Sequence, residues 1–307
     1  MIVAIPGGSG LIGSKLTEVL LERGHEPVVL TRSPENLQRT RSRAEIRRWS
    51  PGESDGGCAS LRGIDAVVNL AGAPIDGGRW TTKSKQRIRD SRVNGTRDLV
   101  RCLRQQEHRP EVLVAGSAVG FYGSRDDYVL HESDSPGEGF LASVCRDLER
   151  EAEEAEGLGV RVVRLRTGVV LSAKGGALEK LSRPFRVGLG GRLGDGKQWL
   201  SWIHIDDLAR MIAHCLETRT ITGAVNAVAP SPVTNAEFTR VLGEVLSRPA
   251  FLRVPGVALR LGIGELADAL LSSQRVMSDL IVMAGFDFSF GSLREALLDC
   301  LVTQQPN

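Results

Sequence analysis

The chain has 307 residues, of which 41% are hydrophobic and 25% charged, and a formal net charge of +2. This is the profile of an ordinary globular protein with one large core, or one domain and a smaller partner. It gives no reason to expect nucleic acid or a membrane as partner: the charge is near neutral, no apolar stretch reaches transmembrane length, and the chain opens on a core-type strand, so no signal peptide is expected.

Met1 to Ile5 is a short apolar run rich in β-branched residues, as a buried parallel strand would be. A glycine cluster follows, Gly7-Gly8-Ser9-Gly10-Leu11-Ile12-Gly13. Leu11, Ile12, Leu16, Val19 and Leu20 then repeat with helical spacing up to Gly24, a suitable C-cap. Strand, glycine turn and helix in that order is the setting of a dinucleotide site. Gly7 would permit the tight turn, Gly10 would let backbone approach a pyrophosphate, and Gly13 would let helix and strand pack closely. The N–H groups from Ser9 to Gly13 and the positive helix end would receive the phosphates.

The second strand reads Pro27 to Ser33 and ends about 20 residues past the turn, where this type of fold meets the adenosine ribose. An NAD site tends to place a carboxylate there. This chain has Arg32 between Thr31 and Ser33, a set suited to a 2′-phosphate, so NADP is expected over NAD. Arg39, Arg41, Arg43, Arg47 and Arg48 form a dense run that could reach the same phosphate or be a solvated loop. Ala44 to Trp49 reads as a third strand within it, and Pro51 to Gly57 as a polar loop.

Ile64 to Gly72 reads as a fourth strand and its exit, where Asn69, Leu70, Ala71 and Gly72 would lie beside the cofactor. A helix is expected from about Lys83 to Gln105, interrupted in propensity at Asn94-Gly95, where a close-packing or functional reason is expected for the glycine. Glu111 to Ser117 is a fifth strand, Phe140 to Glu156 a helix, and Val160 to Leu171 a further strand. Gly188 to Gly196 reads as a loop or hairpin. Asp206 is placed to N-cap a helix running to Glu217. Ala224 to Val228 is a strand, and Thr234-x-x-Glu237 a capping box whose helix ends near Ser247. The alternation implies right-handed βαβ crossovers and a parallel sheet. The five cysteines are scattered without metal-type spacing, which suits a reducing cytoplasm and gives no metal site.

Together, Gly7-x-x-Gly10-x-x-Gly13, Asn69-Leu-Ala-Gly72, Val93-Asn94-Gly95-Thr96, Gly116-Ser117-Ala118, Tyr122-Gly123, Arg166-Thr-Gly168 and His204-Ile-Asp206-Asp207 follow the order seen in extended short-chain dehydrogenase/reductases. The chain resembles their atypical NAD-dependent epimerase/dehydratase-like subgroup, whose members end in a C-terminal domain of unknown function. Gly285-Phe286-x-Phe288, Leu293 and Ala296-Leu297 match that tail. The resemblance implies an α/β fold: a Rossmann-type doubly wound parallel sheet with a smaller C-terminal substrate-side domain. It implies an NADP-binding domain over residues 1–170, joined again by about 200–230. Residues 171–307 would be mainly substrate-side, with the family-specific tail at about 250–302. It adds Asn94 and Arg166 to the cofactor side.

The departure from that family is at its catalytic pair. The usual Tyr-x-x-x-Lys is absent: Asp126 follows Tyr122 by four residues, and Glu132 follows Tyr128. By position, Leu141 and Cys145 occupy the tyrosine and lysine sites, and neither moves a proton or carries a fixed positive charge. Proton transfer is therefore expected from outside that helix. Ser117 and Tyr122 are the candidate catalytic groups, each also readable as structural. His204 and Cys145 are readable as reactive or as structural. The double change Leu141→Tyr and Cys145→Lys is expected to leave the fold intact, the cleft being open there. The expected activity is NADP-dependent oxidoreduction or epimerisation of an unidentified small molecule in the cytoplasm. The alternative is a non-catalytic NADP(H)-binding sensor or regulator.

Overall fold

The structure is a computed structural model that describes residues 1–37, 43–52, 57–75 and 77–303. Arg39, Arg41 and residues 53–56 of the polar loop lie outside the described residues.

Seven strands form the central sheet: β1 (Ile2–Pro6), β2 (Glu26–Thr31), β3 (Glu45–Arg48), β4 (Ala66–Asn69), β5 (Val112–Ala118), β6 (Arg161–Thr167) and β7 (Gly223–Ala227). Their spatial order is β7-β6-β5-β4-β1-β2-β3, and every pair is parallel. This is a Rossmann-type doubly wound sheet whose order reverses between β1 and β4. The period-two alternation of the strands explains the layers. Val3 and Ile5 face a core built with Leu16 and Leu20 of α1 (Leu11–Glu22). Ala4, Val67 and Leu113 face the other side, against Leu99 and Leu103 of α2 (Thr82–Arg104). Each buried Val, Ile or Leu side chain among these contributes about 1.5–3 kcal/mol by leaving water. Two further helices, α3 (Phe140–Glu153) and α4 (Ile205–Glu217), complete the two layers; α3 packs on α2, and α4 on α1.

The expected strand from Val160 to Leu171 is broken in two. A methyl group at Gly168 would stand 2.6 Å from the Ser201 carbonyl oxygen. At that close approach the chain leaves the central sheet, and Val169–Leu171 pairs instead with Trp202–His204. The glycine-rich stretch is not a hairpin, because Gly191–Leu193 pairs in parallel with the distant Leu252–Val254. α2 runs unbroken through Asn94-Gly95, and nothing packs against Gly95, so the expected close-packing reason is missing. The helix α5 (Asn235–Leu246) does open on the capping box, with Thr234 Oγ1 accepting from the Glu237 N–H at 3.2 Å.

The N-cap of α4 is a correction. It is His204, whose Nδ1 accepts from the Asp206 N–H at 3.2 Å. Asp206 sits two positions past the cap, as the second helical residue, and pairs with Lys15 at 3.0 Å. Asp207 is fully buried and accepts from the N–H groups of Ser289 and Phe290, each at 2.9 Å, so it ties the C-terminal tail to α4. The cysteine reading also changes: Cys58 and Cys102 are joined in a disulfide, with Cα atoms 4.9 Å apart, across the packing of the 58–61 turn on α2. No described helix is long and apolar enough to cross a membrane.

Candidate functional site

The glycine turn lies at the carboxyl end of β1, where the strand order reverses. Gly7 has φ +83°, a conformation that side chains rarely adopt. A methyl group there would also stand 2.7 Å from the Leu70 carbonyl carbon. The turn therefore rests directly on the exit of β4, held by a 2.8 Å hydrogen bond from the Leu70 N–H to the Pro6 carbonyl. Gly13 faces backbone too, with Gly8 Cα 2.5 Å from where a methyl would sit. Gly10 is different. Its backbone is ordinary extended, and a methyl there would meet only the Gly7 carbonyl oxygen, at 3.3 Å. The space above Gly10 is open. α1 begins at that residue with no side-chain cap and no acidic residue in its first turn. The first-turn N–H groups of Leu11, Ile12 and Gly13 thus have no intrahelical partner, and the positive end of the helix is not neutralised from within. Ser9 is exposed beside them. The Gly175-Gly176 pair folds over the same end, since a methyl on Gly176 would reach Leu11 Cδ2 at 2.9 Å.

At the end of β2, Arg32 is exposed between the half-buried Thr31 and Ser33, and the Ser33 N–H donates to Thr31 Oγ1 at 3.3 Å. The β2–β3 register sets Arg48, also exposed, opposite Thr31. Arg47 is engaged elsewhere, on Glu45 and on the carbonyls of Ser60 and Arg62. On the other side of the turn, Asn69 is buried; it donates to Thr96 Oγ1 at 3.2 Å, and its Oδ1 accepts from the Ala71 N–H at 3.3 Å. That shapes the exit through Leu70 and Ala71 to the exposed Gly72. Asn94 does not join this group. It is exposed, and its side chain bonds along its own helix to Asp90 and Arg97.

Arg166 is occupied from within the protein. Its guanidinium donates to both Glu149 carboxylate oxygens, at 3.1 and 2.9 Å, to Tyr122 Oη at 2.9 Å and to the Glu132 carbonyl at 3.1 Å. It also lies over the Phe121 ring, 3.5 Å from the centroid. A buried ion pair of this kind is retained only where hydrogen bonds satisfy the remaining groups, as they do here. Tyr122 is 0% exposed and donates to Asn226 Oδ1 at 2.7 Å. Burial holds its phenol above the usual range, which makes it a weaker acid than a free tyrosine.

Ser117, at the carboxyl end of β5, remains half-buried and donates to Glu149 Oε1 at 2.6 Å. Glu149 lies on the face of α3 that carries Leu141 and Cys145, at four-residue spacing. Cys145 is 5% exposed, and burial followed by the neighbouring Glu149 charge pushes its thiol up to about 11, so at neutral pH it is neither charged nor a strong nucleophile. Leu141 is half-buried against Gly120. Sequence reasoning missed Glu149, though its spacing from Leu141 and Cys145 was a usable signal. It missed Asn226 and Glu132 with no signal available, because both reach Tyr122 and Arg166 across the fold.

His204, Asp299 and Cys300 offer ligand-type atoms within 4.8 Å of one another. However, His204 Nδ1 accepts a hydrogen bond, which leaves the ring proton on Nε2, 3.2 Å from Asp299 Oδ2. That ring presents a donor rather than a lone pair, so the group reads as the joint between α4 and the C-terminal tail. A separate cavity of about 710 Å³, lined by Arg192, Arg240, Arg248 and Phe251 among others, shares no residue with the site described above.

The parallel sheet, the glycine turn at its switch point and the uncapped helix behind it define a Rossmann-type fold of the kind that binds dinucleotides. The chain belongs to the NAD dependent epimerase/dehydratase family, whose model matches residues 3–227, and residues 254–300 match a domain of unknown function, DUF1731. It is 42% identical over 298 residues to the epimerase family protein Mb2239 of Mycobacterium bovis, covering 96% of each chain. It is similar to the human epimerase family protein SDR39U1, solved with NADPH, at 34% identity and a TM-score of 0.87, covering 98% of this chain and 99% of that one. The UDP-N-acetylglucosamine 4-epimerase of Bacillus cereus shares the fold, at 16% identity and a TM-score of 0.78 over 100% of this chain and 98% of that one.

Proposed function

We propose that this protein binds NADP(H) across the glycine turn and uses it in oxidoreduction or epimerisation of a small molecule, without a Tyr-x-x-x-Lys pair. The observation that carries the reading is the open space above Gly10, a cradle that any side chain would fill, at an uncapped helix end. The pyrophosphate would lie on the N–H groups from Ser9 to Gly13. Arg32, with Thr31, Ser33 and Arg48 beside it, would hold the 2′-phosphate. Leu70, Ala71 and Gly72 would line the opposite wall. The human relative solved with NADPH supports this choice of cofactor. When bound, the nicotinamide supplies a hydride acceptor or donor.

The proton falls to Ser117. A proton released at a substrate hydroxyl would pass to Ser117 Oγ as the serine's own proton moves to Glu149 Oε1, with Arg166 holding that carboxylate in place. Tyr122 is set aside from this role, because its hydroxyl is fully buried and used by Asn226 and Arg166. We assign residues 171–307 mainly to the substrate side. The test is NADPH oxidation with a panel of carbonyl compounds, followed by Ser117→Ala. Turnover that Ser117→Ala abolishes while NADP affinity is kept supports the reading. NADP binding without turnover on any compound would favour the second reading, a sensor, which draws its support from the neutral Cys145 and the enclosed Tyr122.

A further inference from the structure

We propose that Arg92, on α2, is the cation of the nicotinamide end of the site, taking the electrostatic part that the absent lysine would play. This rests on the NADP reading above. The argument begins with the two halves of a dinucleotide. The glycine turn lies after β1, and the 2′-phosphate residues lie at the end of β2, on the β2–β3 side. A dinucleotide whose centre is on the turn must place its other half on the β4–β5 side. The exits of β4 and β5 on that side carry Gly72 and Ser117.

Arg92 reaches this place from α2. It donates to the Ala73 carbonyl at 2.9 Å and to the Ile88 carbonyl at 3.3 Å, both through Nη1. Its guanidinium carbon and Nη2 lie 2.9 and 3.0 Å from where a methyl group on Gly72 would sit. It is also close enough to Cys145 for the two groups to interact electrostatically. Cys145 is the position at which the family's lysine would stand. Burial disfavours the Arg92 charge, yet among the described residues no carboxylate comes within ion-pairing distance of it. Three of the other five arginines on the same helix are paired: Arg89 with Asp147, Arg97 with Glu151, Arg101 with Asp98. Arg92 is half-buried, and its Nε and Nη2, which no protein group engages among the described residues, are left to water or to a ligand that brings electron-rich oxygens. The hydroxyls of the nicotinamide ribose and the phosphate attached to it have that chemistry, and a guanidinium serves them with several donors where a lysine would offer a point charge.

The test separates the two halves of the ligand. Binding of NADP and of 2′,5′-ADP, which lacks the nicotinamide half, is measured by calorimetry on the intact chain and on Arg92→Met. The expected result is a loss of about tenfold or more for NADP and no change for 2′,5′-ADP. Arg92→Lys should recover most of that loss. If NADP binds Arg92→Met as well as the unmodified chain, or if both ligands weaken in parallel, the proposal is overturned while the NADP reading stands. If Arg92→Lys behaves like Arg92→Met, charge is not the cause and the proposal fails. An unmodified chain that binds neither ligand overturns both readings. Should Arg92→Met prove too unstable to assay, a crystal structure of the NADP complex decides. A guanidinium within hydrogen-bond reach of the nicotinamide ribose or its phosphate supports the proposal, and one that touches no ligand atom overturns it.

Discussion

Gly10 and Gly13 stand three residues apart in one motif, yet the structure gives them opposite tasks. A methyl group at Gly13 would stand 2.5 Å from Gly8 Cα and 2.6 Å from the Gly7 carbonyl oxygen. Both are backbone, so neither can turn aside, and the turn itself must move. Overpacking of this kind costs about 1–3 kcal/mol. For a chain of this size that is a fall in Tm of roughly 2–5 °C. At Gly10 the single neighbour is 3.3 Å away, and φ is −78°, which any residue adopts. Alanine there loses some capping preference and gains from a less flexible unfolded chain, two terms of about 0.5–1 kcal/mol and opposite sign. Gly10→Ala and Gly10→Val should therefore melt within about 1–2 °C of the unmodified protein, while Gly10→Val loses NADP binding because its side chain fills the pyrophosphate space. Gly13→Ala should melt clearly lower. Differential scanning calorimetry and titration calorimetry on the same preparations give both readings. A folded Gly10→Val variant with normal NADP affinity, or a Gly13→Ala variant as stable as the parent, would refute the division of labour.

Arg32→Ala should remove most of a preference for NADP over NAD of about 10- to 100-fold and leave NAD nearly unchanged, as read by competitive calorimetry; equal affinities in the unmodified protein would sink the assignment. Tyr122→Phe should cost about 1–3 kcal/mol of stability, because the Asn226 side-chain oxygen and an Arg166 donor lose a buried partner. The same variant should keep its turnover per folded molecule, and a selective loss of turnover would return Tyr122 to the chemistry. Cys145 titrates near 9.0 when exposed and is pushed up to about 11 in the fold, so the native state holds this proton more tightly than the unfolded chain. That contribution is complete below about pH 9 and is lost as pH rises toward about 11. Urea midpoints should fall less steeply over this window in Cys145→Ala than in the parent, and parallel slopes would count against the shift.

What the sequence revealed was whatever depends on neighbours along the chain. The β1–turn–α1 unit was legible because strand period, glycine spacing and helix period change within a few residues of one another. The Thr234 cap was legible for the same reason. The N-cap of α4 was misread because a carboxylate at Asp206 satisfies the usual preference, whereas the structure uses the less common imidazole acceptor of His204 two residues earlier in the motif. Arg166 illustrates the larger limit. Its place in the motif order put it on the cofactor side, but its partners lie 17, 34 and 44 residues away along the chain. No periodicity reports such distances. The same holds for Cys58 and Cys102, 44 residues apart, which meet only because one turn packs on α2.

The face of α3 then shows why the missing pair cannot simply be put back. The family resemblance suggested an open cleft at Leu141 and Cys145, in which tyrosine and lysine would be accommodated. Leu141 is half-buried, but Cys145 is nearly enclosed, with Ser117 and Glu149 around its sulfur and Arg92 close by. A lysine there would have to bury about four methylenes and an ammonium beside a guanidinium that already lacks a carboxylate partner. Like charges at such range in a dry setting repel strongly, and one of the two would have to lose its proton or move. Glu149, one turn further on, could answer the new charge only by loosening its hold on Arg166. The small neutral thiol at Cys145 and the cation on α2 are thus two parts of one arrangement. Placing the positive charge on Arg92 rather than on α3 leaves room for the Ser117–Glu149 contact, through which, on the proposed reading, Ser117 would take a proton from the cleft as its own passes to Glu149.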